Sequence, residues 1–135
     1  MNTHSLSLYY ARVAVFIIYF WFGILKVIGL SPASGVVERL FNETVPLMPF
    51  SVFIILFGLF ECLIGILFLM KGLEKTAFVL LIIHMVTTFG PLFFLPGETW
   101  QGFFVPTLEG QYIIKNLVII STALFIFLNR KSRAV

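Results

Sequence analysis

Four stretches of this sequence are almost uninterruptedly apolar, and the polar positions inside them are few and recur at helical offsets. A helix crossing the roughly 30 Å hydrocarbon core of a bilayer needs about 20 residues. Residues 8–29, 50–70, 76–96 and 112–129 meet that length. Backbone groups in lipid must be paired within their own segment, and barrel strands would be shorter and alternating. The pattern therefore predicts four transmembrane helices. Ser31-Pro32-Ala33 loosely mimics a signal-cleavage site, but the apolar run before it is too long and its charged head too weak, so the first span is expected to be retained.

The connections differ from one another. Residues 71–75 form a tight turn. Ser31-Pro32 reads as an N-cap with proline in the first turn, followed by Val36, Val37, Leu40 and Phe41 at helical spacing with Glu38, Arg39 and Asn42 opposite. That predicts a short helix lying on the outer surface. The segment from Gly97 to Gln111 is rich in glycine, proline and aromatics, and Trp100, Phe103 and Phe104 are expected to fold it back into the interface.

Composition agrees with the spans. Sixty per cent of the 135 residues are hydrophobic and 11% charged, against about 25% charged in soluble domains. A water-soluble fold of this size has no room to hide that much apolar surface. The net charge of +3 sits at helix ends, so it reads as membrane orientation and not as nucleic-acid binding. With the N-terminus inside, the inner face carries Arg12, Lys71, Lys75, Arg130, Lys131 and Arg133, while the outer loops carry only Arg39 among Glu38, Glu43, Glu98 and Glu109. The fold class is thus an all-α integral membrane four-helix bundle, one domain, with both termini cytoplasmic and the lipid bilayer as its surroundings.

Ionisable groups inside a span cost about 2.5–3.5 kcal/mol each on insertion scales and usually face the bundle interior. The first span places Arg12, Tyr19, Gly23 and Lys26 on one stripe. The second carries Ser51, Gly58, Gly65 and Gly72 at heptad spacing with Glu61 beside them, a small-residue stripe that admits another helix closely. The third has His84, Thr87, Thr88 and Pro91 on one side, with a kink expected at Pro91. The fourth has Tyr112, Lys115, Asn116 and Thr122 on a shared face. At 1.5 Å per residue Glu61 lies roughly 16 Å from the outer edge and His84 roughly 12 Å from the inner one, so the two share a depth near the midplane. They are expected to interact there, with Lys26 and Lys115 as a separate cationic layer nearer the outside and Glu109 within reach of either lysine. A plainer reading stands beside each: a Glu–His pair can simply fix helix register, lysines near helix ends snorkel, and Cys62 and the glycines pack.

Several residue runs carry a resemblance. Trp21-Phe22-Gly23-Ile24-Leu25-Lys26 closes span one, and Gly58-Leu59-Phe60-Glu61-Cys62-Leu63-Ile64-Gly65 lies in span two. His84 follows in span three, and Gly110-Gln111-Tyr112-Ile113-Ile114-Lys115-Asn116 opens span four. In this order, over nearly the whole chain, they resemble the DoxX-like family of small four-helix membrane proteins. The resemblance implies a bacterial cytoplasmic-membrane protein. Some members are associated with redox work, including the membrane subunit of a thiosulfate:quinone oxidoreductase, and many have no assigned activity.

Three functions follow as expectations. The first is a redox-associated subunit that binds quinone as its cofactor, with Lys26, Lys115, Tyr112 or Trp100 at the headgroup and Glu61 and His84 moving protons. A redox partner protein and a homo-oligomer belong to that reading. The second is a non-catalytic anchor or assembly module for a partner protein. The third is a proton-coupled small-solute transporter, against which stands the lack of an internal repeat or broken-helix pair. Other chemistry fares worse. The single cysteine excludes an internal disulfide or CxxC pair. His4 precedes the first span, leaving a bis-histidine haem one ligand short. No HExxH, P-loop or GxSxG occurs, and no metal site is expected.

Overall fold

Long apolar runs satisfy their backbone groups by coiling, and polar or small residues then choose which face meets a neighbour. The computed structural model describes residues 3–130; Lys131 and Arg133, counted above in the charge asymmetry, lie outside the described residues. The elements are α1 (Thr3–Val27), α2 (Ser34–Thr44), α3 (Phe50–Leu69), α4 (Glu74–Phe89), α5 (Pro91–Phe94), α6 (Pro96–Thr99), β1 (Trp100–Gly102), β2 (Val105–Pro106) and α7 (Leu108–Leu128). Four helices are long and apolar enough to cross a membrane: Thr3–Val27, Phe50–Leu69, Glu74–Phe94 and Leu108–Leu128. His4 Nε2 lies 3.0 Å from Asn129 Oδ1, so the two ends of the described chain meet at one end of the bundle.

Two expectations need correction. The chain is not wholly α: β1 and β2 pair antiparallel, with Phe104 at their turn in the left-handed region (φ 55°). The kink expected at Pro91 is present, as an interruption of the third span at Gly90. Pro91 has no N–H to offer, and the Gly90 N–H closes a tighter turn on Thr87 O at 3.1 Å before α5 resumes. Helix α2 starts at Ser34, later than Ser31-Pro32 predicts, because Ser31 Oγ accepts from Ala33 N (3.3 Å) and caps a turn ahead of it. Its faces are as the spacing predicts: Phe41 is buried and Val36, Val37 and Leu40 half-buried, while Glu38, Arg39 and Asn42 are exposed.

The tightest packing joins α1 to α3. A Cβ placed on Gly23 would stand 2.5 Å from Gly58 O, and one on Gly58 would stand 2.6 Å from Gly23 O. Only glycine lets the two backbones touch there. Gly65 faces the α1 backbone in the same way, its would-be Cβ 3.1 Å from Phe20 N. The other members of the heptad stripe do different work: Ser51 is exposed, and Gly72 turns the chain between α3 and α4 at φ 88°. Leu8, Val15, Ile64, Phe68, Leu81 and Ile126 are buried to 2% exposure or less and form a dry core toward the terminal end. Outside, Trp21, Phe22, Leu56, Val86 and Val118 are more than half exposed, an outward apolar surface of the kind lipid covers.

The polar face of α7 points the other way from the one expected. Tyr112 and Lys115 are exposed and Asn116 and Thr122 half-buried, while Gly110, Ala123 and Ile126 make the buried face. Small side chains let α7 approach the bundle, and that fixes its rotation. Gly58→Ala is expected to destabilise the bundle by about 1–3 kcal/mol, as overpacking does. Gly97→Ala, where nothing lies within 4 Å, should be near neutral. Equilibrium unfolding in detergent micelles checks both.

Candidate functional site

The stripe on α1 is buried throughout: Arg12, Tyr19, Gly23 and Lys26 all face α3 or α4. Because Gly23 and Gly58 draw the backbones together, the stem of Lys26 runs along α3 and delivers its ammonium to Glu61, one turn below. Lys26 Nζ lies 2.8 Å from Glu61 Oε2. Glu61 Oε1 lies 2.8 Å from His84 Nε2. The far side of the imidazole, Nδ1, lies 3.1 Å from the Tyr19 hydroxyl and 3.4 Å from Thr88 Oγ1. Tyr19, Lys26, Glu61 and His84 are each exposed by only 4–6%. Phe57 stacks on the His84 ring at 5.1 Å, and Lys26 Nζ stands 5.9 Å from the centre of the same phenyl ring.

Hydrogen bonds run from Tyr19 through His84 to Glu61 Oε1, and Lys26 meets Oε2 as an ion pair. The carboxylate only accepts, the ammonium only donates, and neutral imidazole does one of each. With the proton on Nε2, histidine donates to Glu61 and its Nδ1 accepts from Tyr19. The assembly is then electrically neutral, one ammonium against one carboxylate. That is the condition under which charge survives out of water. The same connectivity gives a proton a continuous path between a phenol, an imidazole and a carboxylate. Glu61 and His84 are two side chains of metal-ligating type, and no third joins them among the described residues.

A second buried pair lies at the terminal end. The Arg12 guanidinium is paired with Glu74 through NH2, and its NH1 donates to Phe68 O at 3.1 Å. Phe68 belongs to the last turn of α3, whose carbonyls lack helical partners, and Glu74 begins α4. Arg12 thus clamps the α3–α4 turn from α1. The sequence places Arg12 on the inner side and on the interior stripe of span one, and its pattern assigns Glu74 no partner. The signal was available: Arg12 shares its stripe with Tyr19 and Lys26, and Glu74 is the acid of the α4 first turn. Tyr19 was placed on the stripe without a role, although its offset of seven from both Arg12 and Lys26 marks it as interior.

The structure brings Glu61 and His84 together and divides the remaining candidates. Lys26 does not form an outer cationic layer with Lys115; it is the counterion that the buried carboxylate requires. Lys115 is exposed, its Nζ 5.1 Å from the centre of the Tyr112 ring, on the face of α7 turned from the bundle. Glu109 is exposed and pairs with neither lysine among the described residues. Trp100 Nε1 donates to Leu92 O at 3.0 Å, bracing the ribbon on α5. Lys26, Lys115, Tyr112 and Trp100 therefore do not converge on one headgroup.

No family model, curated protein or solved structure matches this chain.

Lys26→Met strips Glu61 of its counterion and is expected to cost about 3–5 kcal/mol, as removal of one partner of a buried pair does. Adding Glu61→Gln to Lys26→Met should recover a large part of that loss. A double-mutant cycle of unfolding in detergent measures the coupling, and simple additivity would show that the two side chains do not act as a pair.

Proposed function

We propose that this chain is a DoxX-like multi-pass protein of the cytoplasmic membrane that serves as a redox-associated, quinone-interacting subunit. In this reading Tyr19, His84, Glu61 and Lys26 hold and pass protons inside the bilayer. Both termini lie on the cytoplasmic side, and α2 rests on the outer surface. The family assignment is supported by the ordered residue runs of the four spans. The orientation is supported by the basic residues at the terminal end. The observation that carries the functional reading is Glu61, held between His84 at 2.8 Å and Lys26 at 2.8 Å within an apolar bundle. Ionisable groups at such depth mark proton or ion handling more often than packing.

A quinone, when bound, supplies two-electron, two-proton redox chemistry. An apolar groove of about 440 Å³ between α4–α5 and α7, lined by Ile82, Met85, Phe89, Phe93 and Ile120 among others, suits an isoprenoid tail. Its lining offers a headgroup no polar side chain, so no step is derived through one. The chain's own contribution is the proton inventory: a phenol, an imidazole with one donor and one acceptor nitrogen, and a carboxylate whose charge the lysine balances. With a single cysteine it cannot build a thiolate-bound cluster, so electrons enter from a partner protein. A second copy covering the Tyr112–Lys115 face of α7 is the oligomer this reading accommodates.

A non-catalytic anchoring role is favoured by one feature: the four polar side chains are shut away from solvent, with the one carboxylate balanced by the one ammonium. One experiment separates the two. The complex is purified from native membranes and its quinone reductase activity measured with wild-type chain and with the Lys26→Met/Glu61→Gln double variant, which leaves no unpaired buried charge. The proton-handling reading predicts an intact complex whose activity falls about a hundredfold, the scale of general acid–base catalysis. An intact complex with unchanged activity supports the anchor instead.

A further inference from the structure

The two ends of the bundle close the Tyr19–His84–Glu61–Lys26 site by different means. Toward the terminal end the next side chains are Val15, Ile64, Phe68 and Leu81, at 2%, 0%, 0% and 0% exposure. No polar side chain interrupts them before the buried Arg12–Glu74 pair. The α1 and α3 backbones are in contact beside this plug at Gly65. Opening that side means breaking the core of the fold.

Toward the other end, Lys26 is the last member of the site, and a file of phenyl rings follows. Phe57 lies on His84, Phe53 on Phe57 at 5.5 Å, and Phe41 of α2 on Phe53 at 4.5 Å. The helix that carries Phe41 is held by little else. Phe41 is its one buried residue. Leu40 rests against Gly90, where the third span breaks. Arg39 pairs with Glu98 at 2.5 Å, with its side chain about half exposed. The end of α2 from Asn42 and the tether that follows, residues 45–49, are exposed throughout. Few buried contacts and exposed backbone make a segment open at low free energy, far below that of the core.

We infer that the site exchanges protons and small solutes with one side of the membrane only, the α2 side, and that α2 is the lid, seated by Phe41 on the Phe53–Phe57 file. This rests on the proton-handling reading and adds its sidedness. In the closed state the rings cover Lys26 and His84. When α2 lifts, Phe41 leaves Phe53 and water reaches the ammonium and the carboxylate while the Val15–Phe68 plug stays shut. The salt bridge from Arg39 to Glu98 biases the lid closed. Because that pair is exposed, its share is small and screened by salt.

The native Cys62, in the α1–α3 seam beside Gly23 and next to Glu61 in the chain, is the reporter thiol. It is 6% exposed, and its Sγ donates to Phe20 O at 3.6 Å. Purified protein is reconstituted into vesicles of uniform orientation and treated from either side with a small, permanently charged methanethiosulfonate. Modification of Cys62 is followed by mass spectrometry. Wild type should react slowly from both sides. Phe41→Ala should accelerate reaction from the α2 side by about tenfold or more, and Arg39→Ala by about two- to fivefold, with no change from the terminal side. Should Phe41→Ala fail to insert, Arg39→Ala, altered only at an exposed pair, carries the test. Acceleration from the terminal side, equal acceleration from both, or none in an inserted variant overturns the inference. The readout contains neither quinone nor partner protein, so its failure is distinguishable from failure of the redox reading.

Discussion

A carboxylate buried among apolar helices must have its charge met, and Glu61 sets that condition for the whole bundle. Leaving it unpaired would cost several kcal/mol, a large part of the net stability of any domain this size. Its two oxygens are met from two different helices, Lys26 on α1 and His84 on α4. Once both contacts are made, the rotation of each helix about its axis and its register along α3 are set. The glycines serve the same end. Without the contact between Gly23 and Gly58 the lysine stem would sit farther from α3 and its ammonium would miss the carboxylate. Packing and electrostatics here are one constraint seen from two sides: the close approach exists where the ion pair needs it.

The rest of the architecture can be ordered by distance from that point. The Arg12–Glu74 pair repeats the device at the terminal end, where a guanidinium from α1 ties the close of α3 to the start of α4. Between the two polar layers lies dry core. Beyond Lys26 the bundle loosens into aromatic stacking, a short surface helix and a ribbon whose tip, Phe103 and Phe104, is 92% and 81% exposed. The proposed function draws on this gradient: rigid layers to hold the titratable side chains in line, and a loosely held end as the route by which anything reaches them.

Much of this was legible in the amino-acid order, and the misses have physical reasons. The spans follow from run length, because lipid imposes a minimum. The meeting of Glu61 with His84 follows from depth and a tight turn between antiparallel helices. The partnership of Lys26 was misjudged because a lysine near a helix end can snorkel as easily as pair. What decides is rotational phase, and Lys26 lies on the stripe of Arg12 and Tyr19. Span four misled in the opposite direction. Its polar residues share a face, but the bundle receives Ala123 and Ile126, since small and apolar groups dock a fourth helix without further charge to satisfy. The ribbon gave no alternation long enough to be read as strand, and its register depends on a left-handed Phe104 that no propensity announces.

The direct test of the central claim is the state of the His84 ring in a lipid bilayer, read by nitrogen NMR of protein labelled at its two histidines. The interlocked chain predicts Nε2 protonated and fixed, with Nδ1 unprotonated and hydrogen-bonded. Tyr19→Phe should then move the Nδ1 resonance and Glu61→Gln the Nε2 resonance. A ring that averages between tautomers, or is indifferent to both substitutions, would contradict it.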